Sequence, residues 1–98
     1  MKQFKDIKKK LEWEQYYDPA FDWDDWEFYK KNKLFEEFIR EFKDNINWYY
    51  ISKYQTLSEN FIREFQDKVN WFWISVHQKL SENFIREFKD KVDWWTIA

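Results

Sequence analysis

Cysteine and glycine are both absent from this 98-residue chain, and proline occurs once. Without cysteine the chain has no disulfide framework, no thiolate metal site and no cysteine nucleophile, and an intracellular compartment is the expected one. Without glycine it has no glycine-rich loop to hold phosphate groups. These absences argue against an enzyme and against a structural metal site.

Long hydrophobic runs are missing as well. The longest stretches, such as WFWISV from Trp71 to Val76, are far shorter than the roughly 20 residues that span a bilayer. The chain does not open with a basic and then apolar signal segment. We expect a soluble protein of the cytoplasm that does not bind a membrane.

Aromatic residues, in contrast, are abundant and make up 26% of the chain. Segments that stay disordered are poor in aromatic residues, so this chain is expected to fold. Its length fits a single domain, residues 1–98.

A 23-residue repeat organises that domain. The tetrapeptide IREF begins at Ile39, Ile62 and Ile85, and a W-x-x-I pattern follows each copy at the same spacing. We define three repeats, 34–56, 57–79 and 80–98, preceded by a divergent part at 1–33 that contains a basic tail and an acidic aromatic segment.

One unbroken helix cannot carry this period. At 100° per residue, 23 residues turn the apolar side by roughly 140°, so the chain has to break within each repeat. Ser58 and Ser81 are suited to cap one helix of about ten residues, and Asn47, Asn70 and Asp93 to cap a second of about nine. Apolar residues around each cap form a hydrophobic staple. The sequence therefore predicts an all-α fold of short tandem helix pairs, a small α-solenoid-like array.

A weaker helix start precedes the repeats. Asp24 is its predicted cap, with Trp23 and Phe28 as the staple and Glu27 closing a capping box. Because the chain has no glycine to end its helices, lysine, asparagine or glutamine is expected to adopt a left-handed conformation at the turns.

Core and surface follow from the spacing of apolar and charged residues. The predicted core consists of Leu57, Phe61, Phe65 and Val69, their copies Leu80, Phe84, Phe88 and Val92, and Trp71, Ile74 and Gln78 on the partner helix. Charged residues such as Glu59, Arg63 and Asp67 lie on the opposite side at i, i+4 spacing, which predicts a solvated surface with pairs along each helix.

The motif W-x-x-I-S-x-[YH]-Q-x-L-S-E-N-F-I-R-E-F-x-D-K-V-[ND] resembles short tandem repeats in uncharacterised proteins of phages and large DNA viruses. The resemblance covers residues 34–98 and implies a virus-type origin and an interaction protein. Phe35 and Thr96 depart from the pattern, since the other copies have serine and an aromatic residue at these positions.

The copies differ most at the start of the second helix, which reads WYY, WFW and WWT. Tyr50 with Tyr54, and Trp73 with His77, form i, i+4 pairs. These four residues are predicted either to form an exposed aromatic ridge that binds a host protein or to pack between neighbouring repeats. Tyrosine and tryptophan are favoured at interface hot spots.

Charge is distributed unevenly near the start of the chain. Residues 2–10 have a net charge of plus four, whereas residues 11–27 have a net charge of minus seven. Phe4, Ile7 and Leu11, in and next to the basic stretch, predict a terminal helix. Carboxylates and aromatic rings together can occupy a nucleic-acid groove on another protein. Candidate partner-binding carboxylates are therefore Asp18, Asp22, Asp24 and Asp25. The alternative is that they only cap and stabilise the first helix.

Other site types find little support. His77 is the only histidine, so no metal site can be completed, and neither a catalytic residue nor a cofactor is predicted. The net charge of minus two argues against direct nucleic-acid binding.

The last helix raises a separate expectation. Trp94, like Trp48 and Trp71, is predicted to pack inward beside the stapled isoleucine. Trp94, Trp95 and Ile97 are also candidates for contacts in a homo-oligomer. Two functions are therefore predicted as alternatives: an inhibitor of a host factor such as a CRISPR-type nucleic-acid-handling defence complex, and a scaffold that forms homo-oligomers.

Overall fold

The computed structural model describes residues 12–97, which form one 3-10 turn and seven α-helices. The turn is Glu14–Tyr17, and the helices are α1 Trp26–Lys31, α2 Glu36–Glu41, α3 Trp48–Tyr54, α4 Glu59–Glu64, α5 Trp71–His77, α6 Glu82–Glu87 and α7 Trp94–Ile97. The basic tail, the terminal helix predicted around Phe4, Ile7 and Leu11, and Ala98 lie outside the described residues. The predicted all-α array of helix pairs is confirmed.

The helices of the repeats begin where the caps predict. The Ser58 and Ser81 hydroxyls accept hydrogen bonds from the backbone N–H of Phe61 and Phe84, three residues further on. The side chains of Asn47, Asn70 and Asp93 likewise accept from backbone N–H groups in α3, α5 and α7. Each cap satisfies a donor that a helix start would otherwise leave unpaired.

The predicted start of the divergent helix is wrong by one residue. Asp25, not Asp24, caps α1, and its carboxylate accepts from the N–H of Glu27. The Glu27 side chain forms an ion pair with Lys31 rather than closing a capping box. Asp24 does not cap the helix because its carboxylate accepts a hydrogen bond from the side-chain amide of Asn47.

The first helix of each repeat is shorter than predicted, at six residues. In the second repeat the helix ends at Glu64, and the carbonyl of the C-cap residue Phe65 accepts from the N–H groups of Lys68 and Val69 in a tight turn. The second helices end where Gln55 and Gln78 enter an extended conformation. No residue among those described has a positive φ, so the expected left-handed turns are wrong and the absence of glycine carries no strain.

The second helices α1, α3, α5 and α7 pack side by side, each in contact with the next. The predicted core rows are buried, except that Leu80 and Gln78 are half-buried, and Trp71 is half-buried too. The fully buried apolar side chains are Tyr29, Ile39, Ile51, Phe61, Ile62, Ile74 and Phe84. One continuous apolar core therefore runs through all the repeats.

Glutamine and serine side chains join one repeat to the next inside this core. The side-chain amide of Gln78 donates to the carbonyl of Gln55, 23 residues earlier, and its oxygen accepts from the N–H of Leu57. The Ser52 and Ser75 hydroxyls accept from the backbone N–H 18 residues further on, at Asn70 and Asp93. Identical copies make identical bonds, which explains why these positions repeat.

Charged residues also connect repeats, in addition to the predicted pairing along a helix, which Glu82 and Arg86 show. Arg40 pairs with Glu64, and Arg63 pairs with Glu87, in each case in the following repeat and at 2.9 Å. Lys91 reaches Asp67 of the preceding repeat at 3.6 Å. Stacking of the repeats places these groups opposite each other, and the i, i+4 rule for isolated helices does not describe them.

Residues 13–29 cover the first repeat with aromatic rings instead of a full helix pair. Trp13 lies with its ring centroid 5.4 Å from that of Phe38, and Trp23 lies 5.2 Å from Phe42. Tyr29 stands one repeat before Ser52, at the corresponding position, and its hydroxyl accepts from the N–H of Asn47 as serine does in later repeats. The divergent segment thus preserves the stacking interface with different side chains.

Candidate functional site: the aromatic residues of the second helices

The predicted aromatic ridge is partly exposed and partly packed. Tyr50 and Tyr54 stack with their ring centroids 6.3 Å apart, and Trp73 and His77 stack at 5.4 Å. Tyr50, Tyr54 and Trp73 are half-buried, while His77 is exposed. Tyr50 also lies 5.7 Å from Tyr29 of the neighbouring helix. The four rings therefore form a surface that is open to solvent at His77 and packs against the neighbouring helix at Tyr50.

A second set of aromatic residues is more exposed and was not identified from the sequence as a set. One member stands near the start of every second helix, one repeat period from the next. These residues, here called the exposed row, are Trp26, Tyr49, Phe72 and Trp95, with exposed fractions of 43%, 45%, 46% and 95%. The regular spacing of these aromatic residues was the signal that could have found them.

The two sets meet in one continuous surface across the middle repeats. Ring centroids lie 5.5 Å apart between Tyr50 and Tyr49, 6.0 Å between Tyr49 and Trp73, and 5.0 Å between Trp73 and Phe72. The Lys53 ammonium lies 4.9 Å from the Trp73 ring centre. We call the aromatic ridge together with Tyr49, Phe72 and Lys53 the aromatic face.

The predicted acidic residues are all exposed, and each carboxylate accepts a hydrogen bond. Asp18, Asp22 and Asp25 each bind the backbone N–H two residues further on. Asp24 alone reaches another element, through Asn47 at the start of α3. Because Asn47 immediately precedes the Trp48-Tyr49-Tyr50 run, the acidic segment adjoins one end of the aromatic face.

These carboxylates also influence a buried tyrosine. The pKa of Tyr29 is raised to about 12, chiefly by burial; the hydrogen bond from Asn47 acts to lower this pKa, and the negative charges of Asp24, Asp22 and Asp25 act to raise it. The Tyr29 hydroxyl donates to the carbonyl of Trp23 at 2.6 Å. The acidic segment is thus held against the first repeat by a neutral tyrosine.

The tryptophans predicted to pack inward do so unequally. Trp48 and Trp71 are half-buried against phenylalanines of the following repeat. Trp94 is 51% exposed, so its predicted inward packing is wrong. The structure places it on the short helix α7 with the exposed Trp95 and the half-buried Ile97, the other two candidates for oligomer contacts.

Residues 12–97 contain no cluster of histidine and acidic side chains arranged to hold a metal ion. Within the same residues, no helix combines the length and hydropathy needed to cross a membrane. His77, the single histidine of the sequence, stacks on the Trp73 ring.

Comparisons with protein-family models, with curated proteins and with solved structures find no match.

Proposed function

We propose that this chain is a non-enzymatic binding protein that presents the aromatic face to a partner protein. The observation that carries the proposal is the unbroken line of rings from Tyr50 through Tyr49 and Trp73 to Phe72, which spans two repeats. Aromatic side chains bury a large area on binding and lose little conformational freedom, and tyrosine and tryptophan are enriched at hot spots.

The contrast between copied and varied positions supports this assignment. Positions that are identical between repeats, such as Ser58 and Ser81 or Arg63 and Arg40, make the bonds between repeats. The exposed positions 49 and 72 carry tyrosine and phenylalanine, and the neighbouring positions 50 and 73 carry tyrosine and tryptophan. The side chains that stacking does not fix are therefore the ones that shape the exposed surface.

Affinity capture with a double variant tests the aromatic face. The tagged protein and Tyr49→Ala/Phe72→Ala are each incubated with a bacterial lysate, and bound proteins are identified by mass spectrometry. Phe35→Ala is the matched control, because Phe35 is 72% exposed and lies outside the face. A partner retained by the protein and by the control but lost from the double variant supports the proposal. Equal capture by all three contradicts it.

The more specific form of the proposal is a viral-type inhibitor of a nucleic-acid-handling complex in the host cytoplasm, such as a CRISPR effector. Two features support it: the resemblance of the repeat to proteins of phages and large DNA viruses, and the position of Asp24 beside the start of α3. Carboxylates next to exposed rings imitate a nucleic-acid strand in charge and in stacking.

Neutralising the acidic segment tests this form separately. Asparagine at positions 22, 24 and 25 keeps an oxygen that accepts the same hydrogen bonds while removing three negative charges. We expect Asp22→Asn/Asp24→Asn/Asp25→Asn to fold normally and to lose capture of a nucleic-acid-binding complex. Added nucleic acid should also displace the unmodified protein from that complex. Capture that is unaffected by both treatments would exclude the mimic.

A homo-oligomeric scaffold is the second candidate function. The observation that favours it is the exposure of Trp94 and Trp95, at 51% and 95%, since large exposed aromatic groups often mark interfaces. Light scattering of the protein beside Trp94→Ala/Trp95→Ala distinguishes the candidates. A concentration-dependent oligomer that the double variant abolishes supports the scaffold, and a monomer at all concentrations contradicts it.

A further inference from the structure

The last helix pair carries the groups by which each earlier repeat holds the repeat that follows it. The 23-residue period places Glu82, Arg86 and Trp94 at the positions of Glu59, Arg63 and Trp71. We call Glu82, Arg86 and Trp94 the end face. What these groups bind can be read from the two internal interfaces, where their counterparts are engaged.

The glutamate counterparts bind the start of the following helix. The Glu36 carboxylate accepts from the N–H of Ser58 at 2.8 Å and from its hydroxyl at 3.0 Å. Glu59 makes the same two bonds to Ser81, at 2.6 Å and 2.9 Å. A glutamate at this position therefore recognises a serine N-cap through two donors.

The arginine counterparts bind one glutamate and one ring of the following helix. The guanidinium of Arg63 pairs with Glu87 at 2.9 Å and lies 5.2 Å from the ring centre of Phe84. Arg40 repeats this geometry with Glu64 and Phe61. The arginine therefore adds a charge-assisted bond and a cation–π contact.

The tryptophan counterparts cover two phenylalanines of the following helix. The Trp48 ring lies 6.2 Å from Phe61 and 5.0 Å from Phe65. Trp71 lies 6.3 Å and 5.2 Å from the corresponding rings of the last repeat. The two interfaces thus make this contact with nearly the same geometry.

On the end face the same side chains are turned toward solvent. Arg86 pairs with Glu82 of its own helix, and their side chains are 72% and 78% exposed, whereas the Arg63 side chain is 35% exposed. Trp94 keeps the internal bond of its counterparts, from its indole N–H to the carbonyl five residues earlier, at 2.9 Å. The indole N–H of Trp71 donates to the carbonyl of Gln66 in the same way. The same kind of hydrogen bond therefore holds the Trp94 ring in place.

We propose that the end face binds a helix pair of the same 23-residue pattern. The occupant has a serine N-cap for Glu82, a glutamate six residues later for Arg86, and phenylalanines three and seven residues after the serine for Trp94. These are the offsets of Ser58, Phe61, Glu64 and Phe65 in the repeat that already occupies the first interface. This interaction goes beyond the proposed function, since the aromatic face contributes none of the three residues.

A second intact copy of the chain does not offer such an occupant. Ser58 and Ser81 are already bound to Glu36 and Glu59. The first repeat has Phe35 in place of the serine, and its phenylalanines are covered by Trp13 and Trp23. The occupant is therefore a repeat whose corresponding side is free. The period also places Ala98 where Ser52 and Ser75 stand, so one hydroxyl contact is lost and binding is weaker than at the internal interfaces.

The full chain, labelled with 15N, is titrated with a synthetic peptide of residues 57–79 and followed by NMR. We expect the Trp94 indole signal and the Glu82 amide signal to shift with the peptide and to remain unchanged with a peptide carrying Phe61→Ala and Phe65→Ala. Trp94→Ala in the protein weakens binding by about tenfold or more, while Phe35→Ala has no effect. Shifts confined to Tyr49 and Phe72 would overturn the proposal.

A second experiment uses an extended chain, so that the result does not depend on a free peptide that has to fold in order to bind. Residues 76–98 are appended after Ala98, which continues the 23-residue period without interruption. If the end face binds the added repeat, solvent exchange of the Trp94 indole slows by about tenfold or more and the melting temperature rises by at least about 4 °C. Unchanged exchange and melting in the extended chain overturn the proposal, whatever the peptide does. So does a self-associated native chain in which Trp94 is already protected.

Discussion

At the scale of single residues, Tyr29 joins the divergent segment to the first repeat through one hydroxyl. That hydroxyl donates to Trp23 and accepts from Asn47, and the ring is fully buried. Burial raises the pKa of Tyr29 from 10.0 to about 12, so the folded state holds the phenolic proton more tightly than the unfolded chain does. The resulting stabilisation is complete below pH 10 and is lost as the pH rises toward 12.

We therefore predict an alkaline loss of stability that Tyr29→Phe removes. The difference in unfolding free energy between the protein and the variant should shrink by about 2 kcal/mol between about pH 10 and pH 12. Urea titrations of both proteins across this range measure it, and other tyrosines cancel in the comparison. A difference that stays constant with pH would show that Tyr29 titrates normally.

The two core glutamines provide a second prediction at this scale. Gln55 is 4% exposed and makes three bonds, donating to the carbonyls of Tyr29 and Asn32 and accepting from the N–H of Leu34. Gln78 is half-buried and makes two. Removing a partner from a buried polar group costs about 1–3 kcal/mol per group left unpaired.

We expect Gln55→Leu to destabilise the protein by about 3 kcal/mol or more, and Gln78→Leu by clearly less, since fewer groups lose a partner and water can replace it. Chemical denaturation of both variants gives the comparison. Equal losses, or a neutral Gln55→Leu, would mean that the side-chain amide contributes by its volume alone.

At the scale of the helices, Ser81 both caps α6 and binds the preceding repeat. Its hydroxyl accepts from the N–H of Phe84 and donates to Glu59. Aspartate is as good a cap as serine in an isolated helix. Here its carboxylate would lie against the carboxylate of Glu59, close to another negative charge.

We predict that Ser81→Asp destabilises the protein by about 1–2 kcal/mol or more, although it preserves the cap. Adding Glu59→Gln to Ser81→Asp should restore most of the loss, because an amide can donate to the new carboxylate. Thermal unfolding of the single and double variants measures the coupling. If Ser81→Asp is neutral, the cap outweighs the contact between repeats.

The helices also show which features a sequence can reveal. The caps at Ser58 and Asn70 were predictable because capping is local chemistry. The pairing of Arg63 with Glu87 was not, because it depends on how far one repeat is shifted against the next. The ends of the helices were also missed, since Gln55 stops α3 by bonding to distant carbonyls that no local pattern identifies.

The candidate site was predicted less completely than the fold. Tyr50 and Trp73 were proposed from their spacing, and each stacks on the ring four residues further on. Tyr49 and Phe72 were missed, since side chains two positions after a cap have no fixed burial until the neighbouring helix is in place. Trp94 was predicted to pack inward because it lies on the side of the stapled isoleucine, but its copies Trp48 and Trp71 are covered by phenylalanines of a following repeat.

At the scale of the whole molecule, stability should vary along the array. In a stacked repeat protein each unit is stabilised mainly by its neighbours, so protection depends on how many sides are covered. The helices α3 and α5 each pack against a second helix on both sides, whereas α7 is four residues long and carries the exposed Trp94 and Trp95. We predict that native-state hydrogen exchange is slowest at the amides of Ile51 and Ile74, which donate to Asn47 and Asn70. It should be fastest at Ile97, which donates to Asp93 at 3.2 Å. Trp71 covers Phe84 in α6 and Phe88 at the C-terminal end of that helix. Trp71→Ala should therefore release the last helix pair while α3 stays protected, which makes the difference in exchange larger. Exchange that is equally slow at all three isoleucines would instead show that the repeats unfold as one unit.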